Sequence, residues 1–237
     1  MTERLEKQTH KDIYQQQAEQ YERLVVREDY QHHILKSIQD ITPLKEKDVV
    51  ELGAGTGRLT CLLAPLVKSM RAFDASEHML AVAERKLEAA GLINWQLEVS
   101  DNRIIPVPDH CADIALSGWS ICYLVDWGGQ DWQGEVAKAL AEMERILKPG
   151  GVMILLETLG TGFTTPTPPD HLKEYYAYLA EQGFSTAWIR TDYQFDSVDE
   201  GNELAGFFFG EEMKSKIEVG EKTILPECTG LWWKRKL

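Results

Sequence analysis

Basic residues are scarce in this 237-residue chain, where 25 lysines and arginines face 38 aspartates and glutamates for a formal net charge of −13. So acidic a balance argues against a surface that tracks phosphates, and no nucleic-acid partner is expected. Cysteine is equally sparse. Cys61, Cys111, Cys122 and Cys228 lie far apart without CxxC spacing, which excludes a zinc knuckle and a secreted disulfide framework. No His, Cys, Asp or Glu cluster shows ligand spacing, so no metal is expected. Long apolar runs are missing too, and Met1 to Lys11 is polar and charged. A signal peptide or membrane span needs the reverse, so the expectation is a cytoplasmic protein with no membrane partner. Internal repeats and long low-complexity tracts are absent.

What the chain does contain is an ordered alternation, in a composition (43% hydrophobic, 27% charged) able to bury a core without staples. Val49 to Leu52, Met70 to Phe73, Cys111 to Ser117 and Val152 to Leu156 are short apolar runs. Between them, Leu59 to Val67, His78 to Ala90 and Trp132 to Leu147 carry helical periodicity. Strand alternating with helix predicts an α/β fold, a mostly parallel sheet with helices on both faces. Trp132, Val136, Leu140, Met143 and Leu147 recur at spacings of four, four, three and four, and Pro149-Gly150-Gly151 ends that helix. Tyr14, Ala18, Tyr21 and Val25 mark an amphipathic helix before the first strand, either a lid or a packed extension.

Past the fifth strand the alternation breaks. Thr161 to Pro169 reads as a loop and Asp170 to Gln182 as a helix bearing Tyr175, Tyr176 and Tyr178. Thr186 to Phe195 then reads as a strand, Ser197 to Ile217 as an acidic helix and Thr223 to Lys236 as a final strand. One domain over 1–237 is expected: a helical cap over 1–44, a core over 45–158, a helical insertion over 159–184 and a strand-helix-strand over 185–237.

Chemistry concentrates after the first strand, where Gly53, Gly55 and Gly57 occupy alternate positions between a strand and a helix. Missing Cβ atoms let a ligand approach the backbone, and the free N–H groups of the helix face it. Seventeen residues beyond Gly57, at the end of the second apolar run, Asp74 can accept hydrogen bonds from both hydroxyls of a ribose. Loop plus acid points to a nucleoside cofactor. A dinucleotide GxGxxG would need its third glycine at Arg58, and the GKS/GKT ending of a P-loop is replaced by Gly57-Arg58-Leu59, so nicotinamide and nucleoside triphosphate are both disfavoured.

These motifs resemble the class I S-adenosylmethionine-dependent methyltransferases. Glu51-Leu52-Gly53-Ala54-Gly55-Thr56-Gly57 matches that family's first motif and Asp74 its ribose acid. Ser100-Asp101-Asn102 with Ile105-Pro106 matches its adenine-side motif, and Arg145 to Gly151 its turn into the fifth strand. The resemblance covers about Asp48 to Thr158 and implies a Rossmann-like seven-stranded sheet whose last strand is antiparallel. It further implies in-line transfer of a methyl group from S-adenosylmethionine to a small soluble acceptor, releasing S-adenosylhomocysteine. Gly53, Ala54 and Gly55 would pass beneath the methionine part of the cofactor, with Glu51 anchoring its ammonium. Ala75 and Met79 would lie on one adenine face, and Asp101 would accept from the adenine amino group, with Asn102 and Ile105 nearby. Core packing explains Met79 and Ile105 equally well. Tyr21, Thr56, Gly57, Ser117 and Gly118 complete the expected cofactor set.

For the acceptor, Trp119 and Tyr123 follow the fourth strand, beyond whose carboxyl end ligands sit in open α/β sheets. Tyr14 and Tyr21 on the cap, with Tyr175 and Tyr176 on the inserted helix, are the other aromatic candidates. Ser117-Gly118-Trp119-Ser120 replaces the Asn/Asp-Pro-Pro-Tyr of enzymes that methylate bases. His32, His33, His110 and His171 are possible bases by type alone, and no catalytic residue is singled out. The acids around Asp196, Asp199, Glu200 and Glu203 read as a solvated face or as recognition of a cationic amine. A protein- or RNA-directed enzyme, a silent cofactor-binding module and a nicotinamide oxidoreductase remain the rivals, and oligomeric state is not legible.

Overall fold

The computed structural model describes residues 13–237. Its strands are β1 (Asp48–Leu52), β2 (Ser69–Asp74), β3 (Trp95–Val99), β4 (Ala112–Gly118), β5 (Leu147–Thr161), β6 (Ser185–Arg190), β7 (Tyr193–Phe195), β8 (Glu218–Val219), β9 (Thr223–Leu225) and β10 (Glu227–Arg235). The helices are α1 (Ala18–Val25), α2 (His33–Ile41), α3 (Arg58–Leu63), α4 (Glu77–Ala89), α5 (Tyr123–Trp127), α6 (Trp132–Ile146), α7 (Lys173–Glu181) and α8 (Val198–Phe209).

Seven strands form one sheet in the order β3-β2-β1-β4-β5-β10-β6. β1 pairs parallel with β2 and β4, and β4 with β5, whereas β10 runs antiparallel between β5 and β6. The inner strands are apolar on both faces, as layers of helices on both sides require. One apolar layer packs Val50, Leu52, Leu155 and Trp232 against α6 and α7; the other packs Val49, Leu116, Ile154 and Leu231 against α2 and α3. The strand order reverses between β1 and β4, and the crevice at a reversal is where such sheets take ligands. Among the described residues, no helix is long and apolar enough to cross a membrane.

Several boundaries differ from expectation for identifiable reasons. The N-terminal helix is broken at Gln17, whose φ of −130° and ψ of 33° separate a helical turn over 13–16 from α1; Met1 to Lys11 falls outside the described residues. The edge strand β3 escapes a hydropathy reading because no residue in it is fully buried. The expected strand Thr186 to Phe195 splits at Thr191 and Asp192. There the Asp192 carboxylate accepts from the Arg190 guanidinium at 2.7 and 2.9 Å and from the Glu227 amide at 2.9 Å, turning the chain out of the sheet. The expected final strand splits at Pro226, which has no N–H for a ladder. The acidic helix stops at Phe209 before Gly210, at φ +102°, and a 3₁₀ turn follows over Glu211–Lys216.

Between these two breaks the chain builds a small lobe. β7, β9 and β8 form a separate antiparallel sheet, and α8 packs on it through Leu204 and Ala205. Leu24 of α1 is buried in the same apolar cluster, joining cap to lobe. β6 and β10 are themselves antiparallel neighbours, with Arg190 opposite Cys228, so the lobe is an excursion inserted into a hairpin.

Candidate cofactor and acceptor site

A cavity of about 470 Å³ opens at the carboxyl ends of β1, β2 and β4. The glycine turn forms its floor. Gly53 sits at φ +71°, and a Cβ there would lie 1.8 Å from Ser120 Oγ, so this position admits no side chain. Ser120 in turn accepts from Asn102 Nδ2 at 2.9 Å, tying the β4 loop to the turn. Gly57, at φ +79°, lies against α4, where a Cβ would meet Ala83 at 2.8 Å. It packs one helix on another and does not line the cavity.

Glu51, Asp74 and Thr56 provide the polar wall. Glu51 is 1% exposed, and its Oε2 accepts from Thr60 Oγ1 at 2.5 Å. Burial, with the charge of Asp74 adding to it, pushes its carboxyl up to about 8. Asp74 accepts from the Gly55 amide through Oδ2 and the Ser76 amide through Oδ1, both at 2.8 Å. One carboxylate thereby holds both the glycine turn and the start of α4, and burial raises its pKa. Thr56 Oγ1 is buried without a hydrogen-bond partner. Ala75, Met79, Asp101 and Asn102 continue the wall, and Arg103 chelates Asp101 and reaches Glu135. That pairing holds Asp101 below its ordinary value.

The opposite end is aromatic. The Tyr14 and Tyr123 hydroxyls are 2.5 Å apart, Tyr14 meets Tyr21 edge-on at 5.4 Å, and Tyr123 stacks on Trp127 at 5.1 Å. Phe208, from the end of α8, lies 5.2 Å from Tyr21 and 6.3 Å from Tyr14. Trp119 follows β4 at φ +49°, its amide bonded to Leu156 O at 2.7 Å, and the Arg58 guanidinium lies 3.4 Å over its ring. Burial raises Tyr14 and Tyr123 well above their ordinary values and Tyr21 to about 12.

Of the expected residues, Tyr14, Tyr21, Glu51, Gly53, Ala54, Gly55, Thr56, Asp74, Ala75, Met79, Asp101, Asn102, Gly118, Trp119 and Tyr123 line this one cavity. Five do not. Gly57 packs on α4, Ile105 is buried in the core, and Ser117 is fully buried with its Oγ unpartnered. Tyr175 is fully buried, its hydroxyl 3.2 Å from Glu157, while Tyr176 stacks on Trp232 at 4.6 Å and donates to Thr158 O. Their helical aromatic stripe is core, so they are corrected as acceptor candidates. Among the described residues no histidine lines the cavity: His33 contacts Arg190 O and His110 contacts Leu147 O. Of the acids in and just before α8, Asp196 and Glu200 pair with Arg27 and Glu203 with Arg23. Arg58, Arg103, Ser120, Trp127 and Glu135 line the cavity without having been expected; Arg58 directly follows the glycine motif, and that adjacency was a usable signal.

The cavity suits an adenosyl cofactor with an amino-acid arm. A buried carboxyl and an unpartnered buried hydroxyl face a turn where no Cβ fits, and a second carboxylate ends the neighbouring strand. Sheet order, antiparallel penultimate strand and this donor set define the class I methyltransferase architecture. Residues 50–155 match the family described as "Methyltransferase domain", and the fold is the Rossmann-like one of the class I S-adenosylmethionine-dependent methyltransferases. A demethylmenaquinone methyltransferase of Geobacillus stearothermophilus is 31% identical over 138 residues, 57% of this chain and 53% of that protein. One from Staphylococcus aureus is 28% identical over 173 residues, 70% of this chain and 65% of its own length. The chain thus spans between half and two thirds of these curated relatives. Among solved structures, a methyltransferase from Aquifex aeolicus superposes with a TM-score of 0.56 at 19% identity, covering 85% of this chain and 88% of that one. The [4+2]-cyclase SpnF superposes at 0.58 and 16% identity, covering 86% and 79%. Fold alone does not choose the reaction.

Proposed function

We propose that this protein transfers a methyl group from S-adenosylmethionine to a small-molecule acceptor held at the aromatic end of the cavity. The observation that supports this most directly is Glu51, a buried carboxyl that lines the cavity together with the glycine turn. Such a group favours a cationic ammonium, which would draw off its proton. When bound, the cofactor supplies a methyl on a cationic sulfur, open to in-line displacement.

The chain's own residues bind, orient and exclude water. Asp74 would take the ribose with the lone pairs left after its two amide bonds. Tyr14, Tyr21, Tyr123 and Trp127 present flat faces that enclose a small acceptor, with Phe208 packed on the first two. Tyr14 and Tyr123 stay protonated at neutral pH, so their hydroxyls orient an acceptor and do not deprotonate it. Positioning of this kind is worth about 7–11 kcal/mol. Demethylmenaquinone, the acceptor in the relatives' name, is the first to test.

Titration with S-adenosylmethionine, S-adenosylhomocysteine and NADH, followed in a thermal-shift assay, tests the cofactor. At a hundred times the dissociation constant a specific ligand adds about 2.7 kcal/mol and raises the midpoint by several degrees. Formation of S-adenosylhomocysteine is then measured against a panel of small acceptors headed by demethylmenaquinone. A shift with NADH alone overturns the cofactor; binding without turnover on any acceptor leaves a silent module.

A further inference from the structure

Two arginines line the cavity, and they differ in how fully they are used. Arg103 is held by both oxygens of Asp101 and by Glu135. Arg58 donates through Nη1 to Glu28 alone, while its plane is fixed flat on Trp119. Glu28 is itself held by the Tyr193 hydroxyl at 2.9 Å, so the guanidinium is clamped on one edge and one face. Among the described residues its Nε and Nη2 have no protein acceptor, and Arg58 lines the cavity. A guanidinium offers five N–H donors in a planar fork suited to a carboxylate. A second buried acid, Glu227, stands close by but does not compete for the charge. Burial and the charge of Glu28 push its carboxyl up from its ordinary value, which disfavours the charged form.

We propose that Arg58 is the oxyanion-binding residue of this cavity, its free edge receiving a carboxylate that a ligand presents there, with Glu28 and Tyr193 as positioning residues. The carboxylate has two possible sources, the amino-acid arm of the cofactor or an acidic acceptor. The inference rests on the cofactor reading above.

Calorimetry on wild type and Arg58→Met separates these sources. S-Adenosylhomocysteine carries the carboxylate, and methylthioadenosine has the same nucleoside and sulfur without it. If the cofactor supplies the group, Arg58→Met loses at least thirtyfold in affinity for the first and less than twofold for the second. If the acceptor supplies it, both nucleosides bind as before, while benzoate, which raises the melting point of the wild-type S-adenosylhomocysteine complex where benzamide does not, no longer does so in the variant. Because Arg58→Met strands Glu28, the Glu28→Gln/Arg58→Met double variant serves as the folded control and gives the same pattern. Equal losses for both nucleosides, or unchanged binding of all probes, overturns the proposal. Failure of wild type to bind either nucleoside instead overturns the cofactor reading.

Discussion

The two ends of the cavity are assembled from different kinds of chain. The cofactor end is local: Glu51, the glycine turn and Asp74 lie within two strands and their loops, and its hydrogen bonds run largely to backbone amides. The aromatic end is gathered from far apart, with Tyr14 and Tyr21 from the cap and Tyr123 and Trp127 from α5, while Phe208 of the inserted lobe packs on the cap pair. A local site built on main chain tolerates little change, whereas a wall of packed rings can be altered one ring at a time. The comparison predicts steep losses at the first end and graded ones at the second.

Gly53→Ala gives the largest effect. The new Cβ meets Ser120 at 1.8 Å with φ at +71°, and S-adenosylhomocysteine affinity falls more than about 100-fold by calorimetry. Gly183→Ala has an open surrounding at φ +82°, costs about 1–2 kcal/mol of stability and leaves affinity unchanged. Asp74→Ala weakens cofactor binding by about 1.5–3 kcal/mol, and an unaltered calorimetric constant contradicts its role.

Proton linkage sharpens the same end. With Glu51 near 8 in the free protein, binding of a cation releases its proton, so affinity for S-adenosylhomocysteine rises up to about tenfold per pH unit below 8. Calorimetric titrations from pH 6 to 8 read that slope, and Glu51→Gln flattens it. Stability of the free protein moves oppositely. The folded pKa is raised above the unfolded value of about 4.3, so this contribution is full below that value and is lost as pH rises through 8.

Phe208 supports Tyr14 and Tyr21, and Phe208→Ala, by loosening those rings, lowers acceptor kcat/KM by about fivefold, within the worth of the ring pairs removed, and leaves cofactor affinity within twofold. The smallest effect is at Tyr176→Phe. It removes one hydrogen bond to Thr158 O, costs about 1 kcal/mol in chemical denaturation and does not change the kinetics.

What the sequence made legible follows the same division. Gly53 and Asp74 could be read because their roles depend on an adjacent strand end and turn. Tyr175 and Tyr176 misled because an aromatic stripe at helical spacing is the same whether it faces a ligand or a sheet, and here it faces Trp232 and Glu157. Arg58 was passed over although it touches the glycine motif, since what holds it comes from Glu28 and Tyr193, far away in sequence. The lobe was invisible because its two breaks, at Asp192 and Pro226, lie inside stretches whose hydropathy reads as continuous strand. Only the carboxylate of Asp192, bonded to Arg190 and the Glu227 amide, shows where the chain departs.

That departure bears on how such a protein diversifies. β6 and β10 remain in register as neighbours whatever lies between them, and the lobe leaves and rejoins the sheet at this one pair. Its length and composition can therefore drift, or the whole excursion be exchanged for another, without shifting a strand beneath the cofactor. Phe208 rides on that excursion, so a change in the lobe reaches the cavity only through the rings of Tyr14 and Tyr21 on which Phe208 packs.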